Sequence, residues 1–144
     1  MENELDVNIR LVKEPSLYSE KILDSPQAVV ELMAKELAQY DREVFCVLNM
    51  KSNGQIINMN MVSVGSINAS LVIPREVFKS SILANASAII GIHNHPSGNP
   101  EPSQEDIDVT RRLVQAGDVM EIPVLDHIII GDGVFVSLCE RGYL

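Results

Sequence analysis

The stretch His93-Asn94-His95-Pro96-Ser97-Gly98-Asn99-Pro100-Glu101-Pro102-Ser103-Gln104-Glu105-Asp106 sets two imidazoles, a hydroxyl and a carboxylate where one metal ion could collect them. Catalytic zinc commonly takes three protein ligands, nitrogen or oxygen, and leaves a fourth position for water. His93, His95 and Asp106 supply that set. Residues i and i+2 of a strand point to one face, so both imidazoles can aim at one point if the apolar run Ala88-Ile89-Ile90-Gly91-Ile92 is a strand that ends there. The Pro/Gly/Asn-rich loop from Pro96 to Pro102 then turns the chain back and delivers Asp106 in the first turn of the next helix.

A plainer reading exists for the same residues. Ser103-x-x-Asp106 before an apolar-periodic stretch is also a capping box, with Ser103 at the N-cap and Asp106 favoured by the helix dipole. The two readings are compatible, because a carboxylate in the first turn can cap the helix and still face a metal. Other metal chemistries fail on their letters. No histidine is followed by glutamate, as a zincin's His-Glu-x-x-His requires. A nucleoside deaminase's His-x-Glu and Pro-Cys-x-x-Cys are both missing. The contiguous His-Asn-His carries little weight as an HNH nuclease signal, since that motif's residues are dispersed.

His93-x-His95, seven intervening residues, Ser103, two more and Asp106 resemble the JAMM (MPN+) metallopeptidase signature, His-x-His-x7-Ser-x2-Asp, at every position. Pro74-Arg75-Glu76-Val77-Phe78, His93-Asn94-His95-Pro96-Ser97-Gly98, Asp106 to Leu113, Asp126 to Gly131 and Glu140-Arg141-Gly142 resemble its RadC branch, from about Asp24 to the C-terminus. The resemblance implies a zinc-dependent hydrolase of peptide or isopeptide bonds, one ion per chain, held by His93, His95 and Asp106. It also implies a glutamate at the start of an upstream apolar strand that holds the water and moves protons. Glu43, opening Glu43-Val44-Phe45-Cys46-Val47-Leu48, matches that place. Ser103 is expected to donate to the developing oxyanion. A binding role as a RadC-like DNA-repair or recombination accessory is the alternative that the resemblance carries. Longer RadC proteins have an N-terminal helix-hairpin-helix region linked to DNA, which we do not find in this sequence.

Composition agrees with one compact domain. At 144 residues and 46% hydrophobic content the chain can bury a single core. The formal charge of -9 opposes direct nucleic-acid binding, which rewards clustered lysine and arginine. Cys46 and Cys139 show no Cys-x-x-Cys spacing, so both are expected to be reduced structural residues in the cytoplasm. We read no signal peptide and no membrane anchor. The expected partner is a protein or peptide substrate.

The elements follow from periodicity and turn chemistry. Residues 1–24 contain the alternation Val7 to Leu11 and form an arm or edge strand; residues 25–144 form the RadC-like JAB/MPN domain. Ser25-Pro26 opens a helix to about Gln39. Strands over 43–50 and 55–64 join at Asn53-Gly54, a hairpin signal. A second helix starts at Pro74 and runs to about Ala86. After the strand ending at His93, a third helix spans about Gln104 to Ala116. Strands over 122–130 and 134–138 then join through Gly131-Asp132-Gly133. The order αββαβαββ predicts an α/β domain of α+β type, a mixed, mostly antiparallel sheet flanked by helices. This resembles the JAB/MPN fold, related in shape to cytidine deaminases. His127 reads as a half-buried strand histidine, Asp108, Arg111 and Arg112 as solvated groups, and Asn68 and Ser70 as loop residues bordering a groove.

Overall fold

The computed structural model describes residues 22–144. The alternation Val7 to Leu11 lies outside the described residues. The elements are α1 (Pro26–Leu37), β1 (Val44–Met50), β2 (Ile56–Val64), α2 (Pro74–Leu83), β3 (Ala88–Asn94), α3 (Gln104–Met120), β4 (Val124–Ile130) and β5 (Phe135–Ser137), the expected order. They build a five-stranded sheet in the order β2-β1-β3-β4-β5. Its pairs are antiparallel except β3 with β4, which run parallel with α3 as the crossover between them. Mixed and mostly antiparallel, the sheet has the JAB/MPN-like form that the sequence predicts.

Side chains alternate across the sheet and give it two packed faces. Cys46, Leu48, Met50, Ile90, Ile92 and Ile128 pack under Val29, Met33 and Leu37 of α1. Phe45, Val47 and Ile89 pack on the other face under Val77 and Phe78 of α2 and Val109 and Leu113 of α3. Because both faces are covered, β1 and β3 are buried at every position. Cys46 belongs to the first core, where burial pushes its thiol up to about 12. Both cysteines are free, as expected, but Cys139 is exposed and has no core role.

Local signals account for several element ends. Ser25 caps α1 through Ala28 N–H (3.2 Å), and Pro26 stands at its first turn. The β1–β2 hairpin closes at Gly54, whose φ of +89° suits glycine. The third helix is longer than its sequence suggests. A mid-helix glycine weakens a helix by about 1 kcal/mol relative to alanine, which argues for a stop at Ala116. Gly117 is instead the point where α3 meets the returning chain, since a Cβ there would lie 2.6 Å from the Ile122 carbonyl oxygen and 3.4 Å from Phe78 Cζ. The helix continues to Met120 and closes with Glu121 in the left-handed region. We predict that Gly117→Ala destabilises the fold by about 1–3 kcal/mol, the range for overpacking, in spite of its gain in helix propensity. Urea unfolding that shows a net gain would contradict this packing.

Candidate metal centre

Four of the candidate side chains meet at the end of β3. His93 is its penultimate residue and His95 follows the strand, so period-2 alternation brings their Nε2 atoms to 3.1 Å. The His95 N–H bonds to the Ile130 carbonyl (2.8 Å), and the Asp132 N–H bonds to the Gly98 carbonyl (2.9 Å), which fasten the loop to the end of β4. Gly131 permits this approach, because a Cβ there would collide with the Gly98 carbonyl oxygen. Asp106 arrives at the third position of α3. Its carboxylate lies 3.3 Å from His93 Nε2 and 3.1 Å from His95 Nε2. Glu43 comes through strand register: Phe45 pairs with His93, so the residue two before Phe45 meets the residue two after His93. Glu43 Oε1 is 3.5 Å from His95 Nε2.

The capping box of α3 is formed in both directions. Ser103 N–H donates to Asp106 Oδ2 (2.8 Å), and Asp106 N–H donates to Ser103 Oγ (3.2 Å). The cap uses a lone pair of the Ser103 hydroxyl and leaves its proton free to donate, so capping and oxyanion roles do not compete. Ser103 is exposed and Asp106 is buried.

Electrostatics explain the crowding. Burial pushes the Asp106 carboxyl up, but the His93 and His95 imidazoles beside it outweigh that and hold the group well below the usual carboxylate range. His95 is raised above the ordinary imidazole value, first by its hydrogen bond to Asp106, against burial. His95 Nδ1 donates to the Asn99 carbonyl (2.8 Å), which turns the lone pair of Nε2 inward. Imidazole nitrogens 3.1 Å apart beside a buried carboxylate need a positive centre among them, a proton or a metal ion. Glu43, His93 and His95 each offer one ligand atom within 4.8 Å of the others, a set that could hold a metal ion. With the Asp106 carboxylate beside both imidazoles, two nitrogens and a carboxylate oxygen fit such an ion.

Three residues to which the sequence reading gave no role at the site, Asn94, His127 and Thr110, support these groups. The Asn94 amide oxygen accepts from Val44 N–H (2.7 Å) and its NH2 donates to the Arg42 carbonyl (3.0 Å). Asn94 thus clamps the backbone on both sides of Glu43. His127 is not a half-buried strand histidine: it is 1% exposed, and its Nε2 lies 2.7 Å from His93 Nδ1. Burial, then the neighbouring His93, lowers it well below the ordinary imidazole range. Thr110 hydrogen-bonds the other nitrogen of His127. The only signal for these contacts was proximity of the letters to the motif, and none of it is local.

The surroundings are as expected in part. Asp108 and Arg111 are exposed; Arg112 donates to the Ala69 carbonyl (3.2 Å). Asn68 folds onto Ser70 in a turn, and the neighbouring Ile67 N–H donates to Glu43 Oε2 (3.1 Å), which ties that loop to the site. A cavity of about 460 Å³, lined by Ala34, Tyr40 and Phe135 among others, meets the cluster at His95.

The family model of the RadC-like JAB domain matches residues 23–143. The chain belongs to this family. Among relatives of the RadC-like domain, a UPF0758 protein of Moorella thermoacetica is 52% identical over 126 residues, covering 88% of this chain and 55% of its own. A UPF0758 protein of Desulfitobacterium hafniense is 50% identical over 123 residues, 85% of this chain and 54% of that protein. One from Methanosarcina mazei is 47% identical over 122 residues, 85% and 53%. The RadC-like chain spans about half the length of the curated relatives it matches. No helix among the described residues is long and apolar enough to cross a membrane. The RadC-like domain and its possible metal site fit a JAMM-type metal hydrolase.

Two outcomes follow from this geometry. Metal-free protein gains stability from protonated His95 below about pH 6.5, the unfolded value, and loses it as pH rises through the higher folded value. A metal ion bound at His95 would compete with that proton, so apparent metal affinity would rise over the same window; thermal melts and chelator competition across pH would then show opposite slopes, and parallel slopes would contradict a metal site there. Asn94→Ala leaves the buried Val44 N–H without its partner and should cost about 1–3 kcal/mol in urea unfolding; no loss would mean that the clamp carries no strain of the site.

Proposed function

We propose that this domain is a zinc-dependent hydrolase of peptide or isopeptide bonds, with His93, His95 and Asp106 holding the ion, Glu43 as general base and Ser103 as an oxyanion donor. The observation that carries the reading is the meeting of two imidazole nitrogens, the Asp106 carboxylate and Glu43 at one strand end.

Burial separates the roles of the two carboxylates. The Asp106 side chain is 2% exposed and lies beside both imidazoles; that of Glu43 is 30% exposed and touches only His95 among them. A ligand is best buried and fixed, whereas a base must reach water. A bound zinc ion would polarise the substrate carbonyl and lower the pKa of water towards neutrality. Glu43 Oε2 is held by the Ile67 N–H, which leaves Oε1 to accept a proton from the attacking water and return it to the leaving amine. The Ser103 hydroxyl proton, unused by the cap, is available to the oxyanion. Two imidazoles and one carboxylate could also hold iron, cobalt or manganese, and zinc is the ion that the family resemblance implies; the substrate is read here only as protein or peptide.

Mass spectrometry of the purified protein should find about one zinc per chain after reconstitution, lost in His95→Ala and Asp106→Ala. Glu43→Gln should keep the ion and lose cleavage of a degenerate fluorogenic peptide or isopeptide library by about 10²–10⁴-fold, the range for general base catalysis. A protein that takes up no metal, or a fully active Glu43→Gln, would overturn the assignment.

A further inference from the structure

We infer that His127 and Thr110 are positioning residues that keep the proton of His93 on Nδ1 and thereby keep its Nε2 free as a ligand. This rests on the reading of the strand end as a metal centre.

The direction of one hydrogen bond decides the others. Thr110 stands one turn after Asp106 on α3, and its hydroxyl lies 2.7 Å from the Asp106 carbonyl oxygen. A carbonyl cannot donate, so the single hydroxyl proton is spent there. Thr110 Oγ1 must therefore accept from His127 Nδ1, which carries a proton. The neutral imidazole has one N–H, so His127 Nε2 presents a lone pair to His93 Nδ1 at 2.7 Å. His93 Nδ1 must then be the donor, and Nε2 is the nitrogen left bare. That nitrogen faces Asp106 Oδ1 at 3.3 Å and His95 Nε2 at 3.1 Å.

The relay runs from the backbone carbonyl of Asp106 through Thr110 and His127 to His93, whose bare Nε2 faces the carboxylate of the same Asp106. Two proposed ligands from separate elements are thus tied to each other behind the site. Water has no access to rearrange the protons, because His93 and Thr110 are fully buried and His127 is 1% exposed. The parallel register of β3 and β4 pairs Gly91 with His127, and Phe45 packs its ring against both imidazoles at centroid distances of 6.1 Å and 5.3 Å. A Cβ on residue 91 would lie 2.9 Å from Phe45 Cζ, so glycine there makes room for this stack.

Long-range ¹H–¹⁵N NMR of the imidazole rings in metal-free wild type, at mildly alkaline pH, tests the relay without any substrate. His93 should show a protonated Nδ1 and a bare Nε2, and His127 likewise a protonated Nδ1. Thr110→Val keeps the shape and removes the acceptor; it should mix the His93 tautomers and weaken zinc binding, measured by chelator competition, by roughly 10- to 100-fold. Thr110→Ser restores the hydroxyl and should restore both readouts. A proton on His93 Nε2 in a wild type that binds zinc would overturn the inference and leave the metal centre standing. The expected tautomers in a wild type that binds no zinc would support the relay and sink the hydrolase reading instead. If Thr110→Val stays folded with unchanged tautomer and affinity, the relay does not act on His93.

Discussion

The contact between the Asp106 carboxylate and the two imidazoles is the constraint on which the rest of this structure depends. Asp106 is buried and ionised, and a buried carboxylate without partners is costly, with loss of a partner worth about 3–5 kcal/mol. Its capping bond from Ser103 N–H answers only part of that need, since a cap is worth about 1 kcal/mol. A positive centre shared with His93 and His95, a proton or a metal ion, supplies the remainder. The start of α3 is therefore placed by the end of β3 as much as by its own cap.

Around that contact, three kinds of chain connection converge on one strand end. The parallel β3–α3–β4 crossover brings Asp106 above His93 and sets His127 beneath it. The antiparallel pairing of β1 with β3 carries Glu43 to His95. The loop after His95 is fastened to the end of β4 by backbone bonds and by a close approach at Gly131. Each side chain is thus held by an element whose own core is elsewhere, in the apolar layers beneath α1 and beneath α2 and α3. The rigidity of the site comes from those cores; its chemistry comes from polar groups that the cores bury and must satisfy.

Carboxylates illustrate how environment divides residues of one type. Asp106, beside the imidazoles, is held deprotonated. Asp126, on β4, is pushed up by burial against bonds from Ser137, Cys139 N–H and His127 N–H, and it knots the C-terminal turn to the sheet. Glu43 stays partly exposed, with one oxygen occupied by Ile67 N–H. The letters alone do not separate these three.

What the sequence by itself determined is what depends on neighbours in the chain. Strand period put His93 and His95 on one face, Ser103 and Asp106 announced a helix start, Asn53-Gly54 a hairpin, and the order of apolar runs a mixed, mostly antiparallel sheet. The family resemblance singled out Glu43, which no local pattern does. Tertiary structure alone decided the length of α3 past Gly117, the clamp of Asn94 on residues 42 and 44, and the burial of His127 between His93 and Thr110. These depend on strand register and hydrogen-bond direction between segments far apart in the chain, and neither quantity is carried by the residues of one segment: each exists only once two segments have packed.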